Sequence, residues 1–385
     1  MPFRILVLLL VFMVMGFGDL RGSFLGISRE VFGVTAAQGA LIPVAGGLAF
    51  ALFALPAGIL ATRKGKKFVL QAGLLITAAA HALPCFLLSR FNHLLAAIFF
   101  IAVGMTFLLV SGNPLLRDVT EPARYSRNLT FAQFFKSLGS IAGPYLLAAM
   151  VTLGFGWKGV FPVFALLSLV MWAAVTWTPL PAIPLERPAR LLDSLSLLRD
   201  KALRWKILGI FLFSGSEMGM NNFLASHLWL TFGMGIQGDA IRYGQGLFWI
   251  SQGLGRLLGT LALNWMGTAK FLLLCVLGGI TGLVGLILGS REVVIGAIVL
   301  CGMTFSNVWP CLFAITLESQ SRRSSEISGL VVMANVGGAV VPILMGKVTD
   351  LLTVPWCFLV PLAAFLYLLA LSWHLRIRYS APAPR

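Results

Sequence analysis

Three ionisable side chains lie deep inside long apolar runs: Asp19, Lys136 and Glu217. An ionised group inside a lipid-embedded helix costs at least about 2.5–3.5 kcal/mol on insertion scales, so such residues face a polar interior, pair with one another, or handle ions. Asp19 stands about 15 residues, or about 22 Å, into the first run, and Lys136 stands about nine residues, or about 13–14 Å, into the fifth. A carboxylate at that depth is suited to taking up and releasing a coupling proton. A lysine at that depth must pair with an acid such as Asp19, contact an anionic solute, or face water. Asp19, Glu217 and Lys136 are therefore the candidate coupling residues.

The neutral groups point to a solute rich in hydroxyls. Asn113, Gln133, Asn221, Asn222, Gln252 and Asn307 bring amides that both donate and accept hydrogen bonds. Trp249 and Trp309 offer rings on which the apolar face of a sugar stacks. These eight are the candidate substrate-binding residues. The four histidines, His81, His93, His227 and His374, form no catalytic pattern; only His227 shares a run with Glu217. There is no His-Glu-x-x-His, no Gly-x-Ser-x-Gly and no phosphate-binding loop with its lysine. The reading is no enzyme and no catalytic residues. Cys85, Cys275, Cys301, Cys311 and Cys357 are scattered through apolar runs without metal-ligand spacing, so no metal and no cofactor is expected beyond a coupling ion, read as a proton.

The elements that position these groups follow from composition. The 385 residues are 58% hydrophobic and 11% charged, with a mean hydropathy of +0.92. A soluble globular chain carries about 25% charged residues, so this surface faces lipid. One span needs about 20 apolar residues. Twelve spans are expected, at about 4–27, 36–61, 68–89, 94–116, 128–153, 159–179, 206–232, 241–265, 270–289, 293–317, 327–350 and 356–375. The first could pass for a signal peptide, but it has no small-residue cleavage site and runs on through Gly16, Gly18 and Asp19, so it is read as a retained helix.

The net charge of +16 does not indicate nucleic acid, because the basic residues sit in short clusters between apolar runs. With a cytoplasmic N-terminus, Arg4, the Arg63/Lys64/Lys66/Lys67 cluster, Arg117, Arg124, Arg127, the loop from Arg187 to Lys206, Lys270, Arg322, Arg323, Arg376, Arg378 and Arg385 all lie inside. The opposite side keeps little more than Arg29, Arg90, Arg242 and Arg291. That asymmetry fits an even number of spans in the cytoplasmic (inner) membrane with both termini cytoplasmic. The Asn128-Leu129-Thr130 sequon then lies at a cytoplasmic span start and is discounted. A proline-rich, mixed-charge stretch opens near Pro179 and divides the chain. The expected domains are an N-terminal bundle over 1–180, a cytoplasmic linker over 181–205 and a C-terminal bundle over 206–385.

The two halves repeat. At an offset of 198 residues Gly104-Met105-Thr106-Phe107 falls on Gly302-Met303-Thr304-Phe305, Gly139 on Gly337, Pro144 on Pro342 and Asp19 on Glu217. Around the second and eighth spans the offset drifts to 203, where Lys67-Phe68 meets Lys270-Phe271. Six spans per half make this a parallel repeat about an axis along the membrane normal, with the solute site expected near the midplane.

The stretch Gly58 to Lys67 resembles the loop signature Gly-x-x-x-Asp-Arg-x-Gly-Arg-Arg of the major facilitator superfamily, with Thr62 where the acid stands and Lys replacing Arg. Asn113-Pro114, Asn128 to Gln133, Ser137 to Pro144, Gly215-Ser216-Glu217, Trp309-Pro310 with Phe313, and Ser328-Gly329 with Met333 and Gly337-Gly338 are similar to the fucose–proton symporter family, which includes bacterial glucose/galactose transporters. The resemblance implies an all-α membrane protein of two six-helix bundles that takes up a monosaccharide by alternating access and cation symport, with the family's first-helix Asp at Asp19. Leu109 stands where that family's fucose transporter has a Glu, and Lys136 where it has an Asn. The sequence thus reads as a monomeric proton-coupled sugar transporter. An organic-anion (sugar acid) transporter, or an exporter of an amphipathic compound on the same fold, is the alternative.

Overall fold

The computed structural model describes residues 3–20, 24, 27–28, 31–34, 38, 41–180, 191–234, 239–319 and 323–380. The first half contains α1 (Phe3–Gly16), α2 (Leu41–Lys64), α3 (Lys66–Leu87), α4 (Phe91–Asp118), α5 (Tyr125–Thr152) and α6 (Val160–Trp177). A short helix, α7 (Leu191–Ser196), precedes the second half. That half contains α8 (Lys201–Phe232), a π turn (Arg242–Gly246) leading into α9 (Leu247–Ala262), α10 (Thr268–Leu288), α11 (Arg291–Glu318), α12 (Ser324–Ala334), α13 (Gly337–Leu351) and α14 (Leu359–Ser380). Among the described residues nine helical segments are long and apolar enough to cross a membrane, with α12 and α13 forming one of them. Together with the shorter α1 and the more polar α8 and α9, this is the twelve-helix pattern expected from the hydropathy.

Two boundaries differ from the sequence reading. The first span leaves α geometry at Gly16 and continues as a tight 3-10 turn over Phe17–Leu20, where two glycines lower helix propensity. The eleventh span is not continuous: Asn335 and Val336 form a turn between α12 and α13.

Helices built from so many apolar residues still carry hydroxyls, and most of these are satisfied within their own helix. Thr77 donates to the Gly73 carbonyl, Thr106 to Ala102, Ser168 to Phe164 and Thr316 to Leu312, each four residues back. In lipid such internal pairing is required, because no water competes for the groups. Thr62, at the acidic position of the loop signature, does the same by donating to the Ile59 carbonyl at 2.7 Å. The lysines that follow it fasten neighbouring helix ends. Lys66 pairs with Asp118 at 2.8 Å, and Lys67 donates to the Thr176 and Thr178 carbonyls at the end of α6.

The chain forms two compact units, one comprising 1–125, 132–197 and 320–333, the other 126–131, 198–319 and 334–385. Each has the same helix junction at its heart. In the first unit a Cβ on Gly139 of α5 would strike the Met13 carbonyl of α1. In the second, a Cβ on Gly337 of α13 would strike the Phe211 carbonyl of α8. Met13 and Phe211 are themselves 198 residues apart, as are the glycines. The repeat read from the sequence is therefore a repeat of backbone packing, and at both junctions only glycine lets the helices approach so closely.

Candidate functional site

The polar residues of the second unit organise along one face of α8. Ser214, Glu217 and Asn221 are spaced i, i+3 and i+7, so they line a single stripe. Each is tied to a different neighbour. The Ser214 hydroxyl donates to Asn335 Oδ1 at 2.8 Å. Glu217 Oε1 accepts from Gln252 Nε2 at 2.9 Å. Asn221 Oδ1 accepts from Trp249 Nε1 at 2.8 Å, while its carbonyl accepts from Gln245 Nε2 in the π turn. The π turn aims Gln245 toward α8.

The charge balance of this face lies in Arg256, one turn along α9 from Gln252. Its Nη2 donates to Gln252 Oε1 at 3.1 Å and stands 4.0 Å from Glu217 Oε1. A guanidinium only donates, so Gln252 must turn its oxygen to Arg256 and its NH2 to the carboxylate. The result is an ordered relay from Arg256 through Gln252 to Glu217. The side chains of Arg256 and Glu217 are 10% and 25% exposed, so the glutamate alone keeps substantial access to the open side of the relay.

Of the sequence candidates, Glu217, Asn221, Trp249 and Gln252 are thus brought together. Trp309 lies on α11, stacked on Phe313 with ring centres 4.8 Å apart, and its indole donates to Asn335 Oδ1 at 3.2 Å. Both tryptophans have their N–H engaged, and Phe313 covers one face of the Trp309 ring. Asn307 is almost fully buried. Its amide donates to the Gly255 carbonyl, the Met303 carbonyl and Ser306 Oγ, tying α11 to α9, while its Oδ1 has no partner. Asn222 is exposed, about a quarter-turn round α8 from Asn221, and joins none of these bonds. His227 is a core residue. Its Nδ1 lies 3.1 Å from Thr231 Oγ1, and its ring packs edge-on against Phe232 and Phe358.

In the first unit the candidates are sparser. Asn113 is fully buried and donates to the Leu109 carbonyl at 2.7 Å, leaving its Oδ1 without a partner. Gln133 is buried with its Nε2 likewise unpartnered, and its carbonyl accepts from Ser137. Lys136 is half-buried on α5, and its carbonyl lies where a Cβ on Gly16 would fall. Gly16 is three residues before Asp19, so the close packing of α1 on α5 carries the backbone of Asp19 toward the level of Lys136. The Asp19 side chain and Arg21 lie outside the described residues.

Sequence reasoning missed Arg256 and Asn335. Arg256 is a charge inside the run 241–265, and the insertion-cost argument that selects Asp19 selects it equally. Asn335 carried no signal of its own, because its importance comes from the helix break and from two partners far away in sequence. No cluster of His, Cys, Asp or Glu suited to a metal ion occurs among the described residues.

The family model of the Major Facilitator Superfamily matches residues 6–325. A glucose/galactose transporter of Brucella abortus is 26% identical over 354 residues, covering 88% of this chain and 86% of its own. An L-fucose-proton symporter of Haemophilus influenzae is 24% identical over 404 residues, covering 92% of each chain. The crystal structure of a Major Facilitator Superfamily transporter in the outward conformation superimposes with a TM-score of 0.84 at 21% identity, over 98% of this chain and 99% of that one.

Proposed function

Because the chain belongs to the Major Facilitator Superfamily, we propose that it is a secondary active transporter that carries a monosaccharide together with a proton by alternating access. It moves a solute and converts none, so it is not an enzyme. The observation that carries the sugar reading is the α8 stripe with its partners: a carboxylate, several amides and two indole faces within one unit. That set matches the donors, acceptors and apolar face of a pyranose. The relatives named as glucose/galactose and L-fucose transporters point the same way.

The roles divide between the halves. Glu217 has a cation, Arg256, in its own unit, so its charge is balanced without a coupling proton. It serves as a hydrogen-bond acceptor for solute hydroxyls, alongside Asn221, Asn222 and Gln252, with Trp249 and Trp309 as stacking faces. Asn307, Asn113 and Gln133 each keep one buried amide atom without a protein partner, suited to bonding a solute or water. Asp19 takes up and releases the proton, and Lys136 balances its charge. The backbone packing of Gly16 on Lys136 supports that pairing. The protein acts as a monomer in the cytoplasmic (inner) membrane, with both termini cytoplasmic, as the distribution of basic residues supports.

The test is counterflow in proteoliposomes preloaded with unlabelled D-glucose, D-galactose or L-fucose, following entry of the labelled sugar. Counterflow needs no ion gradient, so it probes the solute class apart from coupling. Exchange of at least one sugar is expected, with weak competition by sugar acids. Absence of exchange with all three, in protein shown to be folded, overturns the sugar reading. Strong competition by a sugar acid alone transfers the assignment to an organic anion and makes Lys136 its first contact.

A further inference from the structure

The break in the eleventh span brings a residue into play that no sequence motif marks. Asn335 stands at the turn between α12 and α13, and its Oδ1 receives two donors, Ser214 Oγ at 2.8 Å and Trp309 Nε1 at 3.2 Å. An indole N–H donates and never accepts, so the amide oxygen must face Trp309. Its NH2 is therefore forced to the opposite side, and among the described residues it makes no hydrogen bond. Asn335 is half-buried, not sealed in the core.

Its surroundings say what that NH2 faces. Ser214 opens the α8 stripe that continues through Glu217 and Asn221, so Asn335 extends the same polar face by one further group. An amide donor turned to lipid would carry the cost of an unsatisfied hydrogen bond, several kcal/mol in hydrocarbon. Turned to a solute path, it is satisfied by water or by an oxygen of the cargo. The symmetry mate of Asn335 at the offset of 198 is Ser137, a buried residue whose hydroxyl donates to the Gln133 carbonyl. The oriented donor is thus a property of the second half alone.

We infer that Asn335 is a specificity-determining residue whose NH2 donates to one hydroxyl oxygen of the transported sugar, with Ser214 and Trp309 fixing the direction of the amide. Glu217 accepts from the sugar and Asn335 donates to it, so together they distinguish a correctly placed hydroxyl from a missing one. The inference rests on the sugar reading and goes beyond it by naming the group that selects.

The experiment is counterflow by wild type, Asn335→Ala and Asn335→Asp with the exchanged sugar and each of its singly deoxygenated derivatives. Loss of one neutral hydrogen bond corresponds to about tenfold in apparent affinity. Both variants are expected to weaken the parent sugar by about that factor. For one derivative, the one lacking the partner hydroxyl, variants and wild type should be equal. Asn335→Asp keeps the oxygen that Ser214 and Trp309 require, so it separates the lost donor from a disturbed helix break. A uniform loss across all derivatives in both variants, or no loss in either, overturns the inference while wild-type counterflow leaves the sugar reading intact. A wild type that exchanges none of the sugars overturns the sugar reading and this inference with it.

Discussion

The two halves share a backbone and differ in chemistry. At the junction of α1 with α5 the close-packed residues are Met13, Gly16, Lys136 and Gly139; 198 residues on, their counterparts are Phe211, Ser214, Ala334 and Gly337, of which Gly337 packs on Phe211 where α8 meets α13. Gly139 is kept as Gly337, whereas Gly16 becomes Ser214 and Lys136 becomes Ala334. The second helix shows the same divergence. α2 holds no amide or ionisable side chain before Arg63, whereas α9 carries Gln252 and Arg256 against Glu217. Where a helix lies against a neighbouring carbonyl, as at Gly139 and Gly337, both halves need glycine, because that approach tolerates no Cβ. Solute chemistry places no such demand on symmetry, so each half is free to specialise: the second in an ordered, charge-balanced relay, the first in an acid and a lysine.

That comparison predicts the largest contrast between the two acids. Asp19→Asn is expected to abolish gradient-driven accumulation of sugar and to leave counterflow. Glu217→Gln is expected to weaken counterflow itself. Parallel assays in proteoliposomes with and without a pH gradient check both. An Asp19→Asn protein that still accumulates solute sinks the division of roles, and the reverse pattern would exchange the two acids.

Arg256 sharpens the comparison. Arg256→Leu removes both the donor to Gln252 and the cation near Glu217. The expected loss is about 1–3 kcal/mol of stability, below the 3–5 kcal/mol of a fully buried pair, because the Glu217 side chain keeps 25% exposure. It should appear as a lowered thermal midpoint in detergent and a raised KM in counterflow. Adding Glu217→Gln should cost less than the sum of the single changes, since the two residues act as one unit. Strict additivity would mean that the relay carries no coupling.

A pair of glycine substitutions tests the shared backbone. Gly139→Val and Gly337→Val each force a side chain against a carbonyl of the neighbouring helix, an overpacking worth about 1–3 kcal/mol. Comparable drops in thermal midpoint are expected for the two. A large drop at one and none at the other would break the equivalence of the junctions.

The sequence by itself determined the class of protein, the number and approximate limits of most spans, the repeat, and the acids that a membrane makes expensive. These were legible because lipid imposes one-dimensional rules: apolar length, the cost of each charge, and the sidedness of lysine and arginine. It also singled out Trp249, Gln252 and Glu217, since polar groups in an apolar run stand out whatever they touch. Tertiary structure decided which of them meet. Asn307 and Asn113 read alike in sequence, yet the Asn307 amide reaches a second helix, while the Asn113 amide bonds within its own. Arg256 gained its meaning from Gln252 one turn away and Glu217 on another helix. Asn335 gained its meaning from a break in the eleventh span and from Ser214 and Trp309, residues 121 and 26 positions distant. Hydropathy and spacing report what a residue costs in lipid. The direction in which its hydrogen bonds are held is a property of the partners, and only the packed helices supply those.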